Sequence, residues 1–365
     1  MNVAMLSYGQ RKLAVQRLTA LWAFTESGLG GVLHALKLPF TGLIVGGIAV
    51  MLITFIAWFS NRQLNVILKS VLVVLIVKAV VSPHTPFPAY IAVSFQAIVG
   101  YLLFSLLRIN LLSILLLSIL AMVESAIQKL LVLTFFFGNS IWKAADELVA
   151  YVAKQFSFVA SNGSWWLVAA YVSVYILGGF VVGIMTRKMI GKFEAAGVTQ
   201  AMVPSEVYSN ISLVKNKKKR KNKLVMLLVI LMIISTILYF LSDTTTNAKI
   251  SILRAFTWTI SAVLLWYIVI TPLFTRALLF FLHKKKSKYS NEVGEALSFI
   301  PVLHKLANVA WKVSADRRGL NRLSFFLYTL ISWSIIYSES KSSATGCISY
   351  HERWQLVEDE YRRTD

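Results

Sequence analysis

The stretch from Leu111 to Phe137, LLSILLLSILAMVESAIQKLLVLTFFF, decides what kind of protein this is. It stays apolar for longer than the roughly 20 residues a helix needs to cross the hydrocarbon core of a bilayer. Its apolar residues come in runs without a period of two, so it does not read as a strand. In lipid a backbone must satisfy its own hydrogen bonds, which leaves helices or closed barrels. The segment is therefore expected to be a transmembrane helix, and 224–241 has the same character.

Working outward from it, further spans are expected near 15–36, 41–59, 64–81, 88–107 and 164–185, with two more near 224–241 and 252–274. The expected fold is all-α: a polytopic membrane helix bundle of about eight transmembrane helices with an amphipathic cytoplasmic tail. The totals agree. Of 365 residues 57% are hydrophobic and 15% charged, and the mean hydropathy is +0.68. A soluble domain is nearer a quarter charged.

The net charge of +21 would suit a nucleic-acid binder, but the placement of the charges argues against one. Arg11, Lys12 and Arg17 precede the first span, Arg62 follows the second and Arg108 the fourth. A dense run, Lys215, Lys217, Lys218, Lys219, Arg220, Lys221 and Lys223, precedes the seventh span, and Lys284, Lys285 and Lys286 follow the eighth. An even number of spans puts all of these on one side, with Lys37, Lys143, Lys154 and Lys249 opposite. The positive-inside rule then places both termini in the cytoplasm and the chain in the plasma (inner) membrane, its cations facing anionic membrane lipids; no nucleic acid is expected as partner.

The chain divides into a six-helix membrane bundle (1–185), a basic cytoplasmic linker (186–223), a two-helix membrane segment (224–282) and a basic amphipathic tail (283–365). In the tail, Val293, Ala296, Leu297, Ile300, Leu303, Leu306, Ala307 and Ala310 recur at helical spacing, with a bend expected at Pro301. A second apolar segment, 320–337, is read as lying in the membrane interface, with a ninth crossing as the alternative. Cys347 is the only cysteine, so no intramolecular disulfide forms. No removable signal peptide is expected at the N-terminus.

Enzyme chemistry finds no foothold. There is no Gly-x4-Gly-Lys-Ser/Thr loop, no His-Glu-x-x-His and no paired aspartate motif for magnesium. The five histidines are scattered. No metal and no cofactor is expected. What remains is a set of ionisable residues at membrane depth, where they are costly and so read as functional by default. Glu26 lies in the first span with Trp22 one turn before it and His34 two turns beyond. Lys78 ends the third span, His84 sits in Ser82-Pro83-His84-Thr85-Pro86, and Glu124 lies in the fifth. Together Trp22, Glu26, His34, Lys78, His84 and Glu124 suggest a solute pocket; the alternative is a structural Glu–Lys or Glu–Trp contact between helices. Glycines 28, 30, 31, 42, 46, 47, 178, 179 and 183 serve close helix packing or, alternatively, docking of another subunit.

The glycine-rich segment Thr25-Glu26-Ser27-Gly28-Leu29-Gly30-Gly31-Val32-Leu33-His34-Ala35, leading to Lys37-Leu38-Pro39-Phe40-Thr41-Gly42, resembles the substrate-binding membrane component of energy-coupling factor transporters, as does Pro88–Gly100. The resemblance implies a compact six-span subunit that binds a vitamin or metal ion outside and topples in the membrane as ATPases act through a second membrane subunit. The second half is similar to that other subunit, with Ala315-Asp316-Arg317-Arg318-Gly319 close to the family's Ala-Arg-Gly coupling signature. Arg317, Arg318 and Gly319 would by that resemblance couple to an ATPase; headgroup contact is the plainer alternative. The family's Ala-x-x-x-Ala docking motif is not matched in the first span, where Ala20 and Ala23 stand three apart.

The sequence is thus expected to encode the non-enzymatic membrane component of a small-molecule importer, with possible ATPase subunits as partners. An ion-coupled secondary carrier and a non-transporting membrane scaffold are the alternatives.

Overall fold

The computed structural model describes residues 7–30, 40–61, 63–82, 85, 87–157, 162–196, 258–270, 272–273, 276–277, 280 and 288–337. Among these residues the fold is all-helical, with no strand.

Helix α1 (Tyr8–Phe24) begins at a capping box in which Ser7 and Gln10 each bond the other's backbone N–H. It runs into a π-helical turn, Thr25–Leu29. Then come α2 (Thr41–Phe59), α3 (Asn65–Val81), α4 (Phe87–Leu107) and α5 (Leu111–Phe137). Asn110 and Ser113 form a second capping box that starts α5. An amphipathic helix, α6 (Ser140–Gln155), separates α5 from the long α7 (Gly163–Ala196). A helical segment, α8 (258–270), ends in the π-helical stretch Leu265–Ile270. The tail forms α9 (Ser290–Val313) and α10 (Gly319–Ile336).

Side-chain contacts fix the helix directions. Thr19 meets Ser70 and Glu26 meets Lys78, so α1 and α3 run the same way. Gly42 faces Ser125 and Gly46 faces Met122, so α2 opposes α5. Pro88 meets Gln128 and Gly100 meets Leu117, so α4 also opposes α5. Gly179 faces Ile119 and Gly183 faces Leu115, which opposes α7 to α5. A short connection, 60–64, returns α3 alongside α2. With α6 set aside, six consecutive helices thus alternate in direction.

The core runs through α2. Ala49 to Ala57 are all fully buried, Thr54 among them, whose hydroxyl donates back to the Val50 carbonyl. Where α7 crosses α5, a Cβ on Gly179 would stand 2.9 Å from the Ile119 Cα. The two backbones therefore touch, as small residues allow in membrane helices. Gly42, Gly46 and Gly47 of α2 and Gly178, Gly179 and Gly183 of α7 each face a neighbouring helix of the same chain, whereas Gly191 has open space around it.

Among the described residues four helices, α2, α4, α5 and α7, are long and apolar enough to cross a membrane. The expectation of about eight is met only in part. The helices at the expected first and third spans, α1 and α3, have 17 residues each, or about 26 Å at 1.5 Å per residue. The span expected at 224–241 lies outside the described residues, as do 252–257, 271 and 274 of that at 252–274. Helix α7 continues past the expected end at 185 to Ala196, because Arg187, Lys188, Lys192 and Glu194 are good helix formers once the apolar stretch is over.

The tail departs most from expectation. Helix α9 contains Pro301, the position of the expected bend, within one helix from Ser290 to Val313. Of its expected apolar stripe, Val293, Ala296, Leu303, Leu306 and Ala310 are buried, joined by Phe299, Val302 and Val309, while Leu297, Ile300 and Ala307 are partly buried. This face lies on α1 and α3 rather than on a bare surface. The Arg17 guanidinium sits 3.8 Å from the Phe299 ring centre and Phe24 meets His304 edge-on, so α9 runs parallel to α1. Helix α10 folds back along α9, with Phe299 against Tyr337 and Trp311 against Phe326, and its Tyr328 reaches Phe193 of α7.

Candidate functional site

Two polar centres lie within the apolar bundle. The first is built on the π-turn. One hydroxyl of the turn, on Thr25, donates to the Leu21 carbonyl and another, on Ser27, to the Ala23 carbonyl. The wider turn carries Glu26 at 6% exposure. From α3, Lys78 (3% exposed) places its Nζ 2.7 Å from Glu26 Oε2, and Ser82 donates to the Ser27 carbonyl. The ammonium also stands 5.8 Å from the Tyr90 ring centre, and Tyr90 is hydrogen-bonded to Thr85. This centre ties α1, α3 and α4 together at one end of the bundle. A π-turn inside an α-helix is frequently associated with function.

Such a buried pair satisfies itself. Losing one partner would strand a charge in the bundle, at a cost of about 3–5 kcal/mol. Trp22, one turn before Glu26, is fully buried and its indole N–H has no partner. It is packed in the core. His34 and His84 lie outside the described residues.

The second centre sits between α2, α4 and α5. Gln96 of α4 is 2% exposed. Its Nε2 lies 3.2 Å from where a Cβ on Gly46 would be, and its Oε1 has no partner. Ser125 Oγ is 3.8 Å from the same point on Gly46. Beside Ser125, Glu124 accepts from Gln128 Nε2 through Oε1, at 3.3 Å. Gln128 also donates to the Pro88 carbonyl at 2.9 Å, which puts the carboxylate on the α4 side of α5. Glu124 Oε2 is buried without a partner.

The two centres differ in chemistry. The first pairs an anion with a cation. The second offers acceptor oxygens, Gln96 Oε1 and Glu124 Oε2, with nothing donating to them. Buried acceptors of this kind call for a donor or a positive charge from elsewhere. Among the described residues no group of three or more His, Cys, Asp or Glu side chains is arranged to hold a metal ion.

Of the residues singled out in the sequence, the structure joins Glu26 to Lys78 and seats Glu124 apart, in the second centre. Sequence reading missed Gln96, Ser125, Gln128 and Tyr90. Gln96 and Gln128 were detectable in principle, as amides in otherwise apolar helices.

In the tail, Arg317 is half-buried with its guanidinium 4.0 Å from the Phe325 ring centre, while Arg318 is exposed. Gly319 starts α10 at φ +59°, with nothing near its Cβ position. No family model, no curated protein and no solved structure matches the chain.

Proposed function

We propose that this chain is the membrane component of a small-molecule importer. It binds solute at the α2–α4–α5 centre and couples to a separate ATPase through the tail. The carrying observation is the packing of the α9–α10 hairpin along α1, the helix that bears Glu26. A force on Arg318 and its neighbours would reach the bundle through that contact. Gln96 and Glu124 receive the donor groups of the solute, and the Glu26–Lys78 pair locks α1 to α3 as the bundle moves.

In this reading the chain crosses the plasma membrane about eight times, with both termini and the basic linker in the cytoplasm facing anionic lipids. The resemblance to energy-coupling factor components supports the same division of labour. An unpartnered Glu124 oxygen is also what an ion-coupled carrier would use, which makes that the second reading.

Purification from native membranes in mild detergent, followed by mass spectrometry, tests the proposal. The expected result is a stoichiometric ATPase that is lost with Arg318→Ala, together with ATP-dependent uptake in vesicles. Uptake without ATP that stops when the ion gradient is collapsed would establish the carrier instead. A preparation with no ATPase and no transport would leave a scaffold.

A further inference from the structure

Helix α6 was not anticipated, and the importer reading gives it no task. At 100° per residue, Ile141, Ala145, Leu148, Val149 and Val152 fall on one side, while Lys143, Glu147 and Lys154 fall on the other. Neighbouring helices cover only part of the apolar side. Val149 lies against Gly163, and Trp142 donates its indole N–H to the Thr134 hydroxyl. Asp146 accepts the Ser164 N–H at 2.6 Å, at the start of α7. That bond to a helix N-terminus holds the Asp146 carboxyl below the ordinary aspartate range. The rest of the apolar side is open: Leu148 is 60% exposed and Val152 47%.

Three observations name what covers it. On the two helices that flank α6, Leu131 of α5 and Trp165 and Trp166 of α7 are exposed as well, at 64%, 69% and 68%. These belong to helices long and apolar enough to cross a membrane, so the surface that meets them is lipid. Next, α5 has 27 residues, or about 40 Å, against a hydrocarbon core of about 30 Å. The end of α5 where α6 begins therefore reaches headgroup level, which is where tryptophans concentrate. Finally, Lys143 and Lys154 balance Asp146 and Glu147, so α6 carries no net charge with which to seek an anionic partner.

We propose that α6 is an interfacial helix. It lies along the membrane surface at the α5–α7 end of the bundle, with Leu148 and Val152 in the boundary between headgroups and acyl chains and Lys143, Glu147 and Lys154 in water. Its partner is the phospholipid bilayer itself, and apolar burial rather than headgroup charge drives the contact. This holds whether or not the chain transports a solute.

The chain's single cysteine makes the test direct. In a Cys347→Ser background, the substitutions Leu148→Cys, Val152→Cys, Lys143→Cys and Glu147→Cys each take an environment-sensitive fluorophore. The full-length proteins are then reconstituted at high dilution into phosphatidylcholine vesicles, with and without phosphatidylglycerol. Probes at 148 and 152 should emit at shorter wavelength and be quenched several-fold more by lipid-borne nitroxide than those at 143 and 147, which iodide on both sides of the membrane should quench. The pattern should be the same in both lipid mixtures. Equal iodide quenching at all four positions overturns the proposal, because the helix then stands in water. Protection of 148 and 152 from both quenchers also overturns it, because protein then covers that face. A contrast that appears only with phosphatidylglycerol overturns the claim that charge is not the driving force.

Discussion

The two polar centres of the bundle solve the same physical problem in opposite ways. Each places polar side chains where water is scarce. At Glu26 and Lys78 the anion has its cation at 2.7 Å, with neighbouring hydroxyls and a ring around them. At Gln96 and Glu124 two acceptor oxygens are left without donors. A buried charge that has found its counter-charge holds helices in place. A buried acceptor without a donor is an invitation, because the desolvation cost is recovered only when a donor arrives.

The sharpest way to break this comparison is to remove half of the closed pair. Lys78→Met or Glu26→Gln should each destabilise the purified protein by about 3–5 kcal/mol, whereas the double substitution should recover most of that loss. Unfolding in detergent gives the three values. If the single substitutions cost nothing, the pair is solvated and the centres do not differ as argued.

The open centre predicts a smaller effect on stability and a larger one on binding. Gln96→Leu removes an acceptor that is already unpartnered, so stability should change by no more than about 1 kcal/mol in either direction. Solute retention by the purified protein should fall with Gln96→Leu and with Glu124→Gln. A marked loss of stability in Gln96→Leu would mean that its amide is already satisfied within the fold.

The smallest effect concerns the exposed tie between α6 and α7. The Asp146 carboxyl is held below its ordinary value of about 3.9 by the Ser164 N–H. Its stabilising contribution is therefore complete above that ordinary value and is lost as pH falls through the lower folded value. Probes on α6 should loosen in that acidic window, and Asp146→Ala should show the loosening already at neutral pH. An α6 that is equally ordered in Asp146→Ala would show that Val149 and Trp142 suffice to hold it.

Much of this architecture was legible in the sequence. Long apolar runs gave the helices α2, α4, α5 and α7, since length and hydropathy alone settle what lipid permits. Glu26, Lys78 and Glu124 were legible as ionisable residues at membrane depth. Which of them meet was not, because a side chain's partner depends on how each helix is rotated about its axis. Helix α6 was missed because its charged side breaks up the apolar runs. Its helical spacing is visible only when the residues are projected around an axis. The tail helices were recognised, but nothing in an amphipathic stripe says whether membrane or protein will cover it. Here Arg17, Phe24 and Tyr328 show that protein does.

The π-turn at Thr25–Leu29 also works as a phase shifter. A regular α-helix advances about 100° per residue, so one surplus residue accommodated within a turn rotates all that follows relative to all that precedes. Before the turn Arg17 and Phe24 meet the tail hairpin and Thr19 meets Ser70 of α3; within it Glu26 meets Lys78 of the same α3. One continuous rod thus addresses two neighbours, the tail from one side and α3 from the other. If the turn relaxed to plain α-helix, the residues beyond it would swing about the axis while the tail contacts and the Thr19–Ser70 bond stayed where they are.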